Sequence, residues 1–320
     1  MAYSPKNTSK HSSLGRESIL NLIKHQLQVR RQTVFQAIAE RELYFRVSTV
    51  GVCNLRCPNC HNEGAPATGK LDLDFGVKAM VEAFNIGFRR VQFTGGEPLL
   101  HPEIAAFVRE GKRIFGDAGI TTNGTYLEEK LHSLVYADIT RIHISLQTEA
   151  LRDASSKGQW RIPSWLASVS KLASDGHFLL RLNLPISADE ILCAEKFLEN
   201  ISSLGCDIKI FSIIPQDPAW SVSYPIKELE LLARIENERR TEKGLNGRIS
   251  VRGYKSPEGI RCITCEALHR CKELSRSLRL GADRVLRPCL ATRGWDVLAT
   301  EENVKAKMEE STLLALDYRW

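Results

Sequence analysis

Six apolar or alternating runs, each followed by a stretch of helical periodicity, constrain the fold of this chain more than any other feature. "LYFRVSTVG" (43–51) alternates like a strand. "RRVQFTGG" precedes a helix from about His101 to Ile114, and "GITTNG" one near Leu127 to Leu134. "DITRIHISLQT" is followed by a helix from about Pro163 to Ser174, and "HFLLRLNLPI" by the helical "SADEILCAEKFLENISSLG". "DIKIFSIIP" is the sixth strand. Such alternation implies an α/β chain with a parallel sheet joined by right-handed crossovers. The pattern alone is compatible with a curved partial barrel or a flat doubly wound sheet. In either case, chemistry belongs at the C-terminal ends of the strands.

The strand–helix region spans 43–215. Residues 1–15, rich in Ser, Lys and Asn, read as a disordered tail. Residues 16–42 read as a helix, with Ile19, Leu20, Ile23, Leu27, Phe35 and Ile38 near helical spacing. Beyond about Pro215 the alternation is expected to end in a C-terminal extension, 216–320, that is not an independent fold. A net charge of +6, from 44 basic and 38 acidic residues, permits an anionic small-molecule substrate but lacks the concentrated basic face of a nucleic-acid binder. No apolar run reaches membrane-spanning length, so no membrane association is expected.

Nine cysteines without a secretory signal argue for a reducing, cytoplasmic setting, where clustered cysteines bind metal more readily than they form disulfides. Cys53, Cys57 and Cys60 follow the spacing C-x3-C-x2-C, with His61 directly behind. Thiolates suit zinc or an iron–sulfur cluster. His61 could complete a tetrahedral zinc shell, whereas three cysteines alone can grip three irons of a [4Fe-4S] cube and leave the fourth open. The loop by itself leaves both readings standing. "TGGEPLL" (94–100) ends the next strand: two glycines permit close backbone approach to a ligand, and Glu97 offers a carboxylate for an ammonium group. Cys193 and Cys206 stand apart and read as small buried thiols.

Taken in order, "CNLRCPNC", "TGGEP", "TTNG" and "ISLQT" resemble the radical S-adenosylmethionine (SAM) enzymes over residues 43–215. That resemblance implies a partial (β/α)6 TIM-type barrel with a [4Fe-4S] cluster at its mouth, held by Cys53, Cys57 and Cys60. It implies SAM chelated to the open iron, an electron donor of reductase or flavodoxin type, and reductive cleavage to a 5′-deoxyadenosyl radical that takes hydrogen from the substrate. Gly95, Gly96 and Glu97 would receive the methionyl ammonium, and Ser145 matches a position that contacts SAM. Asn59 stands where the family usually has an aromatic residue beside the adenine, so adenine contact there would be polar or come from elsewhere.

Four further cysteines, Cys262, Cys265, Cys271 and Cys289, form a second group for which zinc also remains open. "LRLGADRVLRPCL" resembles the auxiliary-cluster region of the GTP cyclase of molybdenum-cofactor biosynthesis, which implies a second [4Fe-4S] cluster. "C-x2-C-x5-C" is also similar to the SPASM extension of peptide-modifying radical enzymes, although Ser275 replaces its next cysteine. If Cys271 is a ligand the auxiliary cluster is fully coordinated; if not, it keeps an open iron.

By the cyclase resemblance, Arg46, Thr122 and Arg181 match substrate-contacting positions, and a basic pair at the barrel mouth would suit a phosphate or carboxylate. Gln92 replaces an expected arginine, "EALHR" replaces an arginine-rich stretch, and the chain ends "LALDYRW" in place of a double glycine. The same architecture acting on a different nucleotide or sugar-nucleotide-like substrate follows. Rival readings are a SPASM-type peptide maturase, an activase of glycyl-radical enzymes, and a non-catalytic zinc or iron–sulfur protein.

Overall fold

The computed structural model of the chain describes residues 38, 43–57, 60, 68–146, 162–186, 191–212, 226–252, 277–288 and 296–317. Strand β1 (Tyr44–Val50) is followed by α1 (Leu73–Asn85), β2 (Arg90–Gly95), α2 (Ile104–Phe115), β3 (Ala118–Thr122), α3 (Leu127–Tyr136) and β4 (Arg141–Ser145). The winding continues with α4 (Trp165–Ser174), β5 (Leu179–Ile186), α5 (Ile191–Ile201), β6 (Asp207–Ser212), α6 (Ile226–Glu242) and β7 (Ile249–Arg252). The C-terminal part adds β8 (Ser277–Leu280), β9 (Val285–Arg287), β10 (Val297–Leu298) and α7 (Val304–Asp317). All six expected strands are present.

The strands form one sheet in the order β10-β9-β8-β1-β2-β3-β4-β5-β6-β7. Neighbours from β8 through β1 to β7 pair in parallel, and only β8–β9 and β9–β10 are antiparallel. The sheet does not close on itself. The winding runs one unit beyond the expected six, since α6 delivers β7 parallel to β6. The segment expected as a mere extension therefore supplies strands at both edges, because β8 lies against β1.

Side-chain alternation decides between a flat sheet and a curved one. Phe45, Val47, Val91, Phe93, Ile120, Ile142, Ile144, Leu182 and Ile208 are fully buried on one face. The Phe93 ring meets Phe107 of α2 edge-on at 5.9 Å. Gly111 of α2 lets that helix approach, since a Cβ there would lie 2.8 Å from both Phe93 and Val91. The opposite face carries Arg46, Ser48, Gln92, Thr121, Arg141, His143, Arg181, Asn183 and Lys209 at alternating positions. A doubly wound parallel sheet buries both faces and reads as continuously apolar. Here one face packs under helices and the other is polar, as in a partial barrel lined by its inner face.

The sequence reading did not place α1. Its N-cap Asp72 accepts from the Phe75 N–H at 3.0 Å, and Phe75, Ala79, Met80 and Ala83 form its buried stripe. Ile38, the one described residue of the expected N-terminal helix, is buried in the core. The rest of 16–42 and the tail 1–15 lie outside the described residues.

Candidate active site at the strand ends

The cysteine loop leaves β1 and lies directly on the end of β2. Gly96 N–H donates to the Val50 carbonyl at 2.7 Å, and Glu97 N–H to the Val52 carbonyl at 2.9 Å. A Cβ on Gly96 would overlap the Val52 carbonyl, and one on Gly95, whose φ is +154°, would overlap that of Val50. The two glycines therefore serve close approach, but of the cysteine loop's own backbone. On its other flank the loop is held by Gly51 N–H to the Gly69 carbonyl at 2.9 Å.

Glu97 is held by three internal donors, which leaves one of the four lone-pair sites of its carboxylate, on Oε2, for a further donor. It is 1% exposed. Its Oε1 accepts from Leu99 N–H at 3.0 Å and from the Thr122 hydroxyl at 2.6 Å, while Oε2 accepts from Asn123 N–H at 2.8 Å. Burial pushes its pKa up, against the pull of these three hydrogen bonds. The carboxylate caps the 3-10 turn Pro98–Leu100 and ties the end of β2 to the end of β3. Thr122 gives its proton to Glu97 and accepts from Gly124 N–H at 3.0 Å. The structure thus places Thr122 in this latch, and Thr121 on the polar inner face, where Gln92 donates to its hydroxyl at 3.0 Å.

The loop after β3 completes the arrangement. The Asn123 amide donates to Asn54 Oδ1 at 2.9 Å and to the Cys53 sulfur at 3.8 Å, and Asn54 donates to the Thr125 hydroxyl at 2.9 Å. Leu55 N–H also points at the Cys53 sulfur, 3.4 Å away. Cys53 and Cys57 are half-buried and Cys60 is exposed; Cys60 N–H closes a turn onto the Cys57 carbonyl at 3.1 Å. Burial raises the Cys53 pKa, with Glu97 and Cys60 adding to the rise. Among the described residues no three metal-binding side chains converge on one point. The donor set, three soft sulfurs on one docked loop with two N–H groups aimed at the first, suits an iron–sulfur cluster.

Deeper in the barrel the inner face is cationic. Ser145 ends β4 and pairs with Asn183; one pair lower, His143 stands beside Arg181, and Lys209 stands beside Asn183. Arg46 lies on the same face, next to Gln92 on β2 and Arg279 on β8. Arg46 and Arg181 thus sit within the barrel, below the mouth where the sequence reading put them, and Arg181 is paired with Asp207 at 3.2 Å. Arg141 is buried, ion-paired with Asp117, and donates toward the Val91 carbonyl (3.2 Å) and Gln92 Oε1 (3.4 Å). Gln92, standing where an arginine was expected, is therefore occupied by Arg141 and Thr121. Lys209 was missed from sequence; its signal is a lone lysine alternating with isoleucines in "DIKIF".

Asn59, His61, Cys262, Cys265, Cys271 and Cys289 lie outside the described residues. The strand leading to Cys289 is described: Arg287 is buried between Asp283, with which it pairs, and Asp296 at 3.3 Å. Burial alone would depress the Arg287 pKa, but these two carboxylates raise it. Cys206 is buried, its thiol pushed up to about 12 by burial, as expected of a core residue. The side chain of Cys193 is not among those described.

Comparison with known proteins agrees with this geometry. Residues 47–150 match the family model described as the radical SAM superfamily. A GTP 3′,8-cyclase of Listeria welshimeri is 30% identical over 292 residues, 85% of this chain and 84% of that protein. One from Chlorobaculum tepidum is 42% identical over 108 residues, a third of each chain. The crystal structure of Streptococcus suis SuiB bound to precursor peptide SuiA superposes with a TM-score of 0.61 at 17% identity, covering 97% of this chain and 72% of SuiB.

Proposed function

This chain belongs to the radical SAM superfamily and, within it, to the relatives of GTP 3′,8-cyclase, and from that premise we propose that it takes hydrogen from a small anionic substrate, nucleotide- or sugar-nucleotide-like, bound inside the barrel. It is an enzyme of a family that uses a [4Fe-4S] cluster and SAM. A cluster held here would supply the electron for reductive cleavage of SAM and so the family's radical chemistry. Cys53, Cys57 and Cys60 hold that cluster. Gly95 and Gly96 dock its loop, Glu97 and Thr122 lock the docked loop to β3, and Ser145 faces SAM from the end of β4. The remaining lone-pair site of Glu97 and main-chain carbonyls beside Gly95 and Gly96 receive the methionyl ammonium. Asn59 contributes a polar contact to the adenine. Arg46, Arg181 and Lys209 hold the substrate's anionic group, and Cys262, Cys265 and Cys289, with Cys271 as a fourth, hold an auxiliary [4Fe-4S] cluster. An external reductase or flavodoxin-type protein delivers the electron in a reducing compartment. Among the described residues no helix is long and apolar enough to cross a membrane.

The observation that carries this reading is the cysteine loop docked on the glycine pair at one end of a barrel whose inner face is cationic. Protein reconstituted without oxygen should be brown, with about eight irons per chain if both clusters form, and should release 5′-deoxyadenosine from SAM under reduction. A phosphorylated nucleoside should accelerate that release and its uncharged nucleoside should not. Colourless, zinc-only protein overturns the class; equal stimulation by both nucleosides overturns the anionic substrate.

A further inference from the structure

Two histidines of this chain occupy opposite situations. His101 is 1% exposed and fully engaged: Nε2 lies 3.0 Å from the Leu71 carbonyl, Nδ1 accepts from Glu103 N–H at 3.1 Å, and the ring meets Phe107 edge-on. That is a core histidine. His143, on the inner face of β4, keeps a small accessible surface although its ring lies deep in the barrel, and it has no hydrogen bond to its imidazole among the described residues. It lies two residues below Ser145, roughly 7 Å along the strand.

Four cations act on His143, three of them from other strands of the barrel. Arg46 comes from β1, Arg141 from its own strand, Arg181 from β5 and Lys209 from β6. The acid on this face, Asp207, is paired with Arg181. β2 and β3 present the neutral Gln92 and Thr121 to the same face. Burial and then the four cations push the His143 pKa down to about 3, so the ring is neutral at ordinary pH. A neutral imidazole carries one N–H donor and one acceptor. Among gathered cations it adds a donor without adding repulsion.

We propose that His143 is a substrate-binding, specificity-determining residue whose imidazole N–H donates to the anionic group held by Arg46, Arg181 and Lys209. The proposal rests on the reading that the barrel binds an anion. A ligand whose charge sits at this depth takes the cations and the imidazole together. One whose charge lies elsewhere gains nothing from the ring.

The test uses inorganic pyrophosphate as the probe, titrated calorimetrically into full-length reconstituted protein. Wild type should bind it, Lys209→Gln should bind less tightly, and His143→Phe should lose roughly tenfold, the scale of one hydrogen bond to a charged group. His143→Gln, which keeps a donor, should recover most of that loss. In nitrogen-labelled wild type, the His143 ring resonances should move on addition of pyrophosphate, a readout that does not depend on any variant folding. Weakened binding in Lys209→Gln with unchanged binding in His143→Phe and unmoved ring resonances overturns the role of His143 and leaves the anionic site standing. No binding to wild type overturns both.

Discussion

The mouth of the barrel and its inner face, separated by about two residues of strand, treat their polar groups in opposite ways. At the mouth, Glu97, Thr122, Asn123, Asn54 and Thr125 bond to one another in a connected network, so the cysteine loop is locked to β2 and β3. Below it, Arg46, Arg141, Arg181 and Lys209 all bear on one neutral histidine, and the acid Asp207 is paired with Arg181. A satisfied network is rigid and holds geometry. A cluster of cations draws an anion even where some of them, as Arg141 by Asp117 and Arg181 by Asp207, already have an acid beside them. The first region is built to position and the second to receive.

Changes at the mouth should have the largest effects. Gly96→Ala drives a Cβ into the Val52 carbonyl, so the loop should lift and iron incorporation on reconstitution should collapse; overpacking of this kind costs about 1–3 kcal/mol of stability as well. Iron analysis and visible absorbance check this, and retention of full iron content would show that docking is dispensable. Next, Glu97→Gln replaces one acceptor oxygen with an NH2 group facing N–H or O–H donors. It should cost about 1–3 kcal/mol in urea unfolding, because one buried donor is left unpaired.

Inner-face changes should act on binding rather than on the fold. Lys209→Gln should weaken pyrophosphate binding at low ionic strength, a difference from wild type that shrinks as added salt screens the attraction. Equal binding at low salt would place the anion away from Lys209. Near neutrality the smallest effect on stability is that of His143, whose ring is largely neutral in both states there, and it grows as the solution is acidified. With the His143 pKa held at about 3 in the folded chain, the unfolded chain binds more protons below about pH 6.5. The stability contributed by the neutral ring is therefore lost as pH falls from there towards 3. Urea midpoints should decline across that window, less steeply in His143→Gln, and parallel declines would place the titrating group elsewhere.

Much of this was legible in the chain itself. The alternation in "RVQFTG", "RIHIS" and "DIKIF" reports one apolar and one polar face, which already disfavours a sheet covered on both sides. It was read for strands and not for what the polar side faces, so Lys209 and His143 went unnoticed. α1 is marked in the chain by its cap Asp72 and by the Phe75, Ala79, Met80, Ala83 stripe. The depth of Arg46 and Arg181 depends on strand register, which no local pattern encodes. The latch of Glu97 depends on the β3 end arriving beside the β2 end, 25 residues later in the chain.

Family, sheet and cysteine spacing are properties of neighbouring residues, and neighbouring residues are what a sequence records. Which carboxylate is locked, which arginine pairs with an acid and which histidine stands among cations are decided by groups far apart in the chain. Only the folded backbone brings them within hydrogen-bond or Coulombic range, and at that range the assignment of roles changes.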